Sequence, residues 1–405
     1  MDLLTSTAAA LKQAALAALN DRRHDLIALS RAIHSDPEIA FQETRAAARL
    51  ADLLAAAGFA VERGVGGLAT AFRAEFGSSG PAIGICAEYD ALPELGHGCG
   101  HNIIAAAAAG AGLALAALGH RLPGRVVVIG TPAEEGGGGK VILLERGVFH
   151  GLDAAMMIHP ATRNLVDRGS LASLRVEVTF HGRAVHADAP PGSGISALDA
   201  MIQLFAGANA LRATMLPTAR LHGIIVEGGV TPTMVPGRAV ARFSVRATER
   251  QYAEALRDRF RRIAEGAALA TETELEFTVA PGYENMVPNQ AIARAFAANL
   301  NALGRTVTPT TGHERMGSTD MGNVSQAIPA IHAYLSIARE GISGHSVAFR
   351  EAACSPEGDQ AALDGAAALA MTTIDLLTNR ELFRQMQDEF AAQRAAGRVK
   401  GLPEA

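Results

Sequence analysis

Tryptophan is absent, and the aromatic share of this 405-residue chain is only 4%. Flat side chains on which bases or sugars stack are therefore scarce, which argues against a stacking platform. No basic block occurs, and the net charge is −5, so nucleic acid is not an expected partner. Cysteine is limited to Cys86, Cys99 and Cys354, an odd and widely spaced set. That excludes a disulfide framework and suits a reducing compartment. The N-terminal stretch has no basic flank and is interrupted by Lys12 and Gln13, so it reads as an amphipathic helix rather than a signal peptide. The longest run without a polar interruption, residues 103–119, is mostly Ala and Gly. Such a run inserts poorly into lipid and reads as a buried helix. A cytoplasmic protein without a membrane partner is expected. There is no internal repeat and no low-complexity linker.

What is present is ample core material, 49% hydrophobic residues, in a length that suggests two domains. Helices are expected over 8–33 and 44–57, the second stopped by Gly58. The connecting HSDPEIAFQET, with His34 and Glu38, reads as a surface or capping loop. Apolar runs at 69–76, 82–87, 125–130 and 154–158 alternate with helices after Asn102 and up to Arg146. This is the pattern of a mostly parallel central sheet with helices on both faces. Near Gly169 the character changes. LRVEVTFHGRAVHA alternates strictly, and strands at 221–227, 238–247 and 274–280 with helices at 196–214 and 249–269 give the order β-α-β-β-α-β. That predicts an inserted α+β ferredoxin-like domain. The expected organisation is a catalytic domain in two parts, 1–169 and 286–405, around an insert at 170–285. The second part is expected to hold a helix at 290–303, the Gly-rich stretch at 311–323, a strand at 328–336 and a helix at 356–377, then a last helix from about 380.

The chemistry gathers where strands end. AIGICAEYDALPELGHGCGHN, residues 82–102, begins as a buried strand and ends in a turn presenting Cys99 and His101. Glu134 and Glu135, His159 and His345 lie at or beyond other apparent strand ends, where α/β enzymes keep their sites. Singly these signals are weak: a histidine before proline is commonly a satisfied core residue, and a Glu-Glu pair commonly opens a helix. Together they offer thiolate, imidazole and carboxylate, the donors zinc takes. The ligands are too many for one tetrahedral ion and suit two ions sharing a bridge. Adjacent carboxylates repel unless positive charge is near. One of the pair can bind metal while its neighbour moves a proton, and Asp90 can orient a histidine ligand. GGGGKV imitates a phosphate loop but has Glu134 and Val141 where Gly and Ser or Thr are required. Gly96, Gly98 and Gly100 imitate a dinucleotide fingerprint, but His101 stands where the third glycine belongs.

These residues resemble the co-catalytic metallopeptidase family of aminoacylases and glutamate carboxypeptidases, in its amidohydrolase subfamily of hippurate, auxin-conjugate and aminobenzoyl-glutamate hydrolases. The resemblance is carried by AEYDALP, GHGCGHN, GTPAEEGGGGK, MMIHP, FHGRAVHADAPPGSGISALDA, GGVTPTMVP, GSTDMGNVS and GHSVAF, in order from about 82 to 350. It implies two divalent ions, zinc or manganese, on Cys99, His101, Glu135, His159 and His345, with Cys99 near the bridge. It implies Glu134 as general base, Asp90 as the aspartate behind a ligand, and cleavage of a small N-acyl amino acid or dipeptide-like amide, as in aminobenzoyl-glutamate. It further implies a homodimer through the insert, which also serves as a lid. His186 would then reach a substrate carbonyl in its own or the partner's site. Asn102 and Thr233 depart from the pattern, where Asp and Asn are usual. Rival readings are an N-carbamoyl-amino-acid amidohydrolase and an inactive metal-binding dimer.

Overall fold

The computed structural model describes residues 2–312, 314 and 316–403. His313 and Arg315 of the Gly-rich stretch lie outside the described residues. The chain divides into two compact units: Met1–Gly169 with Met286–Met316 and Asn323–Ala405, and Ser170–Asn285 with Gly317–Gly322.

The first unit is built on a six-stranded sheet. Its first five strands are β1 (Ala60–Arg63), β2 (Phe72–Phe76), β3 (Ala82–Ala87), β4 (Arg125–Gly130) and β5 (Ala154–Ala161). The second unit supplies β6 (Ala172–His181), β7 (Val185–His186), β8 (Arg220–Glu227), β9 (Met234–Val235), β10 (Arg238–Ala247) and β11 (Glu274–Tyr283), and the chain returns to the first sheet as β12 (Ala330–Ser336).

The order in the first sheet is β1-β2-β4-β3-β5-β12. β4, β3, β5 and β12 run parallel, while β1 and β2 extend the β4 side antiparallel. β3 is buried at every residue, as its unbroken apolar sequence demands of a strand covered on both faces. Helix His101–Ala116 is buried along nearly all its length and packs on helix Pro356–Thr378. Small residues permit this: a Cβ on Gly110 would lie 2.9 Å from both Ala366 and Leu26. Among the described residues, Pro356–Thr378 alone has the length and apolarity of a membrane span, and 78% of its apolar window is buried in the protein.

The expected helix over 8–33 is in fact two, Asp2–Asp21 and Arg23–Ser35, broken at Arg22 with φ −98° and ψ 5°. Asn20 and Asp21, poor helix-interior residues, precede the break. β1 escapes sequence reading because its four residues are largely exposed and carry no periodic signal. Glu38 does cap: its carboxylate accepts the N–H groups of Arg45 and Ala46 at the start of the helix Thr44–Ala56.

In the second unit, β11-β6-β10-β8 form an antiparallel sheet. Together with helices Ala197–Arg212 and Arg250–Thr271 they give the β-α-β-β-α-β path. Leu174, Val176, Val178 and Phe180 of β6 face a core with Met201, Leu204 and Phe260. On the other face Glu177 pairs with Arg242 directly opposite on β10. Ser196 caps the first helix through its hydroxyl, which accepts the Asp199 N–H. Arg238 pairs with Glu227 and Arg246 bonds Ser244.

Candidate metal centre

Four parallel strands end on one side, and four loops leave them carrying ligand-type side chains. β3 stops at Ala87, and Glu88 and Asp90 follow, both buried. β4 stops at Gly130, and the next turn passes through Ala133 at φ 61° before Glu134 and Glu135. That strained residue is held by Glu43, whose carboxylate accepts the Ala133 N–H at 2.9 Å and the Thr70 hydroxyl at 2.8 Å. β5 carries His159 near its end, and the loop beyond β12 brings in His345, itself at φ 58°.

The Cys99 turn is positioned by its glycines. Gly100 sits at φ 79°, and a Cβ there would lie 2.8 Å from the Pro160 ring. Only glycine lets the turn approach the strand end that bears His159. The His345 N–H donates to Gly98 O at 2.9 Å, tying the last loop to the same turn.

The donor atoms converge. Those of Cys99, His101 and His159 lie within 4.8 Å of one another, as do those of Cys99, Glu135 and His345, and those of His101, Glu134 and Glu135. His101 Nδ1 lies 3.1 Å from one Asp90 oxygen, and the other accepts the Glu135 N–H at 2.9 Å. His159 Nδ1 donates to Pro160 O at 2.7 Å, which leaves the Nε2 lone pair 3.5 Å from Cys99 Sγ. Both imidazoles are thus fixed in the tautomer that turns Nε2 inward. His101 Nε2 and Glu135 Oε1 are buried without a hydrogen-bond partner; His345 Nε2 is 3.3 Å from the latter but out of bonding geometry.

The electrostatics describe a cage that wants a cation. Burial pushes the Cys99 thiol up and takes His159 down to about 4, against the pull of Glu88. Burial would lower His101 too, but Asp90 and Glu88 overrule it and hold the imidazolium well above its usual range. Burial would raise Glu135, yet His345 and His101 keep it below the usual carboxylate value. A bound cation would answer the same negative charge of Asp90 and Glu88 that favours a charged His101. Thiolate, imidazole and carboxylate donors with orphaned, inward-facing atoms fit a divalent ion of the zinc class.

Seven of the eight singled-out residues therefore lie in the first unit. His186 lies in the second, exposed, on the β7–β9 ribbon, where its Nδ1 accepts the Asp188 N–H at 3.2 Å. Asn102 serves structure: its amide donates to Ser30 Oγ and Ala353 O, pinning the site helix to both ends of the chain. Thr233 bonds Thr231 in its own loop.

Sequence reasoning missed two groups. Lys140, dismissed with the false phosphate loop, is fully buried and donates to Glu88 at 2.5 Å. His332 and Tyr334 share one face of β12, with rings 5.3 and 5.7 Å from that of His159. Their alternate spacing on an apolar strand was the available signal.

The chain resembles known proteins throughout its length. Residues 84–360 match the model of Peptidase family M20/M25/M40. The mouse Xaa-Arg dipeptidase is 38% identical over 95% of this chain and 94% of its own. A p-aminobenzoyl-glutamate hydrolase chain of Escherichia coli K12 is 36% identical over 70% of this chain and 63% of its own. A Bacillus subtilis structure described as a dinuclear metal binding peptidase from the M20 family superposes with a TM-score of 0.68, covering 88% of this chain and 99% of that one; at 23% identity this speaks for the fold. The chain belongs to Peptidase family M20/M25/M40 and is a hydrolase of amide bonds.

Proposed function

We propose that this enzyme cleaves N-acyl amino acids or dipeptides at a centre of two divalent ions held by Cys99, His101, Glu135, His159 and His345. The observation that carries the reading is the pair of donor groups joined at Cys99, with His101 Nε2 and Glu135 Oε1 buried and unbonded between them. Zinc or manganese, when bound, would supply Lewis acidity, polarising the scissile carbonyl and acidifying the attacking water. Glu134 takes the proton from that water and returns it to the departing nitrogen. Asp90 fixes the His101 ring and, through the Glu135 N–H, the backbone of the acidic pair. His186, an exposed imidazole, holds the carbonyl oxygen as charge develops. The names of the relatives direct the substrate choice towards dipeptides ending in arginine and aminobenzoyl-glutamate. Purified protein reconstituted with zinc or manganese should release amino acid from a panel of Xaa-Arg dipeptides, aminobenzoyl-glutamate and N-acyl or N-carbamoyl amino acids, and a chelator should abolish release. Hydrolysis that survives complete metal removal would refute the centre.

A homodimer through the second unit is part of the proposal. β8 is an edge strand whose Ile224, Ile225 and Val226 are all exposed, an unguarded apolar edge of the kind a second copy covers. Light scattering should give twice the chain mass, and Ile224→Lys should give the monomer; a monomeric parent protein would contradict this. The free cysteines, with Cys99 needed as thiolate, suit the reducing cytoplasm.

A further inference from the structure

Of the three donor groups, His101, Glu134 and Glu135 hold two carboxylates, and the two that share Cys99 are unequal in charge. Cys99, Glu135 and His345 offer a thiolate and a carboxylate, whereas Cys99, His101 and His159 offer only the shared thiolate. A divalent ion in a buried site needs its charge matched, because uncompensated charge at low dielectric is costly. Glu88 stands outside these groups, beside His101. It is fully buried in the turn after β3. Its Oε1 accepts from Lys140 Nζ at 2.5 Å, while its Oε2 has no hydrogen-bond partner and lies 3.4 Å from His101 Nε2. A purely structural origin accounts poorly for this arrangement. Buried ion pairs seldom outdo apolar residues of the same size in stability, and a pair kept for stability alone would not leave one oxygen aimed at a ligand nitrogen.

We infer that Glu88 is the anionic donor to the ion held by His101 and His159, bringing that group to four donors. Lys140 is a positioning residue: by holding Oε1 it fixes the rotamer that presents Oε2. A tetrahedral set of one carboxylate, one thiolate and two imidazoles is the coordination number zinc adopts. The inference rests on the metal reading above, and the test separates the two.

Apo-protein is titrated calorimetrically with zinc, and with cobalt to read coordination from the visible spectrum. The parent protein should bind two ions. Glu88→Gln should keep one at parent affinity and weaken the other about tenfold to a hundredfold, the loss typical of removing a group that supports a metal site, with one of two cobalt signatures altered. Lys140→Met should weaken the same ion less. Because Glu88→Gln removes the negative charge opposite a buried lysine, the double variant Glu88→Gln/Lys140→Met is measured beside it; it should fold and show the same loss. Two-ion binding identical to the parent in either Glu88 variant would overturn the inference. So would equal weakening of both ions with a lowered apo melting temperature, which marks a structural role. A parent protein that binds no zinc or cobalt would sink the metal reading itself.

Discussion

Glu134→Gln is expected to reduce kcat by about a thousandfold, within the range for losing a general base, while both ions stay bound. Metal retention is the discriminating half of the result. Glu134 stands close enough to His101 and Glu135 to pass for a ligand on distance alone. If it were one, the glutamine variant would lose metal along with rate. As a proton carrier it can be neutralised without disturbing the donors, since glutamine keeps its shape. Steady-state kinetics with elemental analysis of the same preparation decides the matter. A rate within tenfold of the parent would refute the base; loss of an ion would reassign the residue.

Cys99→Ala is expected to have the largest effect on metal content, lowering it from two ions per chain to less than one and taking activity with it. The thiol belongs to two of the three donor groups, so its removal weakens both of those. Burial also makes a pH signature. The folded thiol titrates above its ordinary value, and His101 holds its proton unusually firmly. Both protons must leave before an ion enters, so zinc affinity should climb with pH across the neutral range. Without the thiol one of those protons is gone, and the climb should be shallower. Elemental analysis and zinc titration at several pH values check both parts; two retained ions would refute the shared role. Cys354→Ala, outside every donor group, should leave metal content unchanged.

The fold and most of the centre were legible because each signal was local. A fully buried strand reads as an unbroken apolar run, and the residues just after it are the ones a parallel sheet presents. Cys99, His101, the pair Glu134 and Glu135, His159 and His345 could be collected one strand end at a time, while the choice of Glu135 as ligand came only with the family resemblance. The partnership of Glu88 with Lys140 spans 52 residues. Nothing in either neighbourhood announces it, and the glycines before Lys140 suggested a different chemistry. The clamp of Glu43 on Ala133 likewise joins a loop to a turn 90 residues away. The break at Arg22 turned on two polar residues within an otherwise helical pattern.

The position of β12 also matters while the chain is being made. The strand that covers the outer edge of β5 emerges about 170 residues after β5 itself, roughly ten to thirty seconds of translation at ordinary elongation rates. Throughout that interval the ribosome carries a half-built sheet with an apolar border, AAMMIHPA, open to pairing with any neighbouring nascent chain. The intervening unit can fold meanwhile, but it brings no strand to that border. Chaperone dependence and truncation products that precipitate are therefore expected of this protein during synthesis, and His345 arrives only after the border is closed.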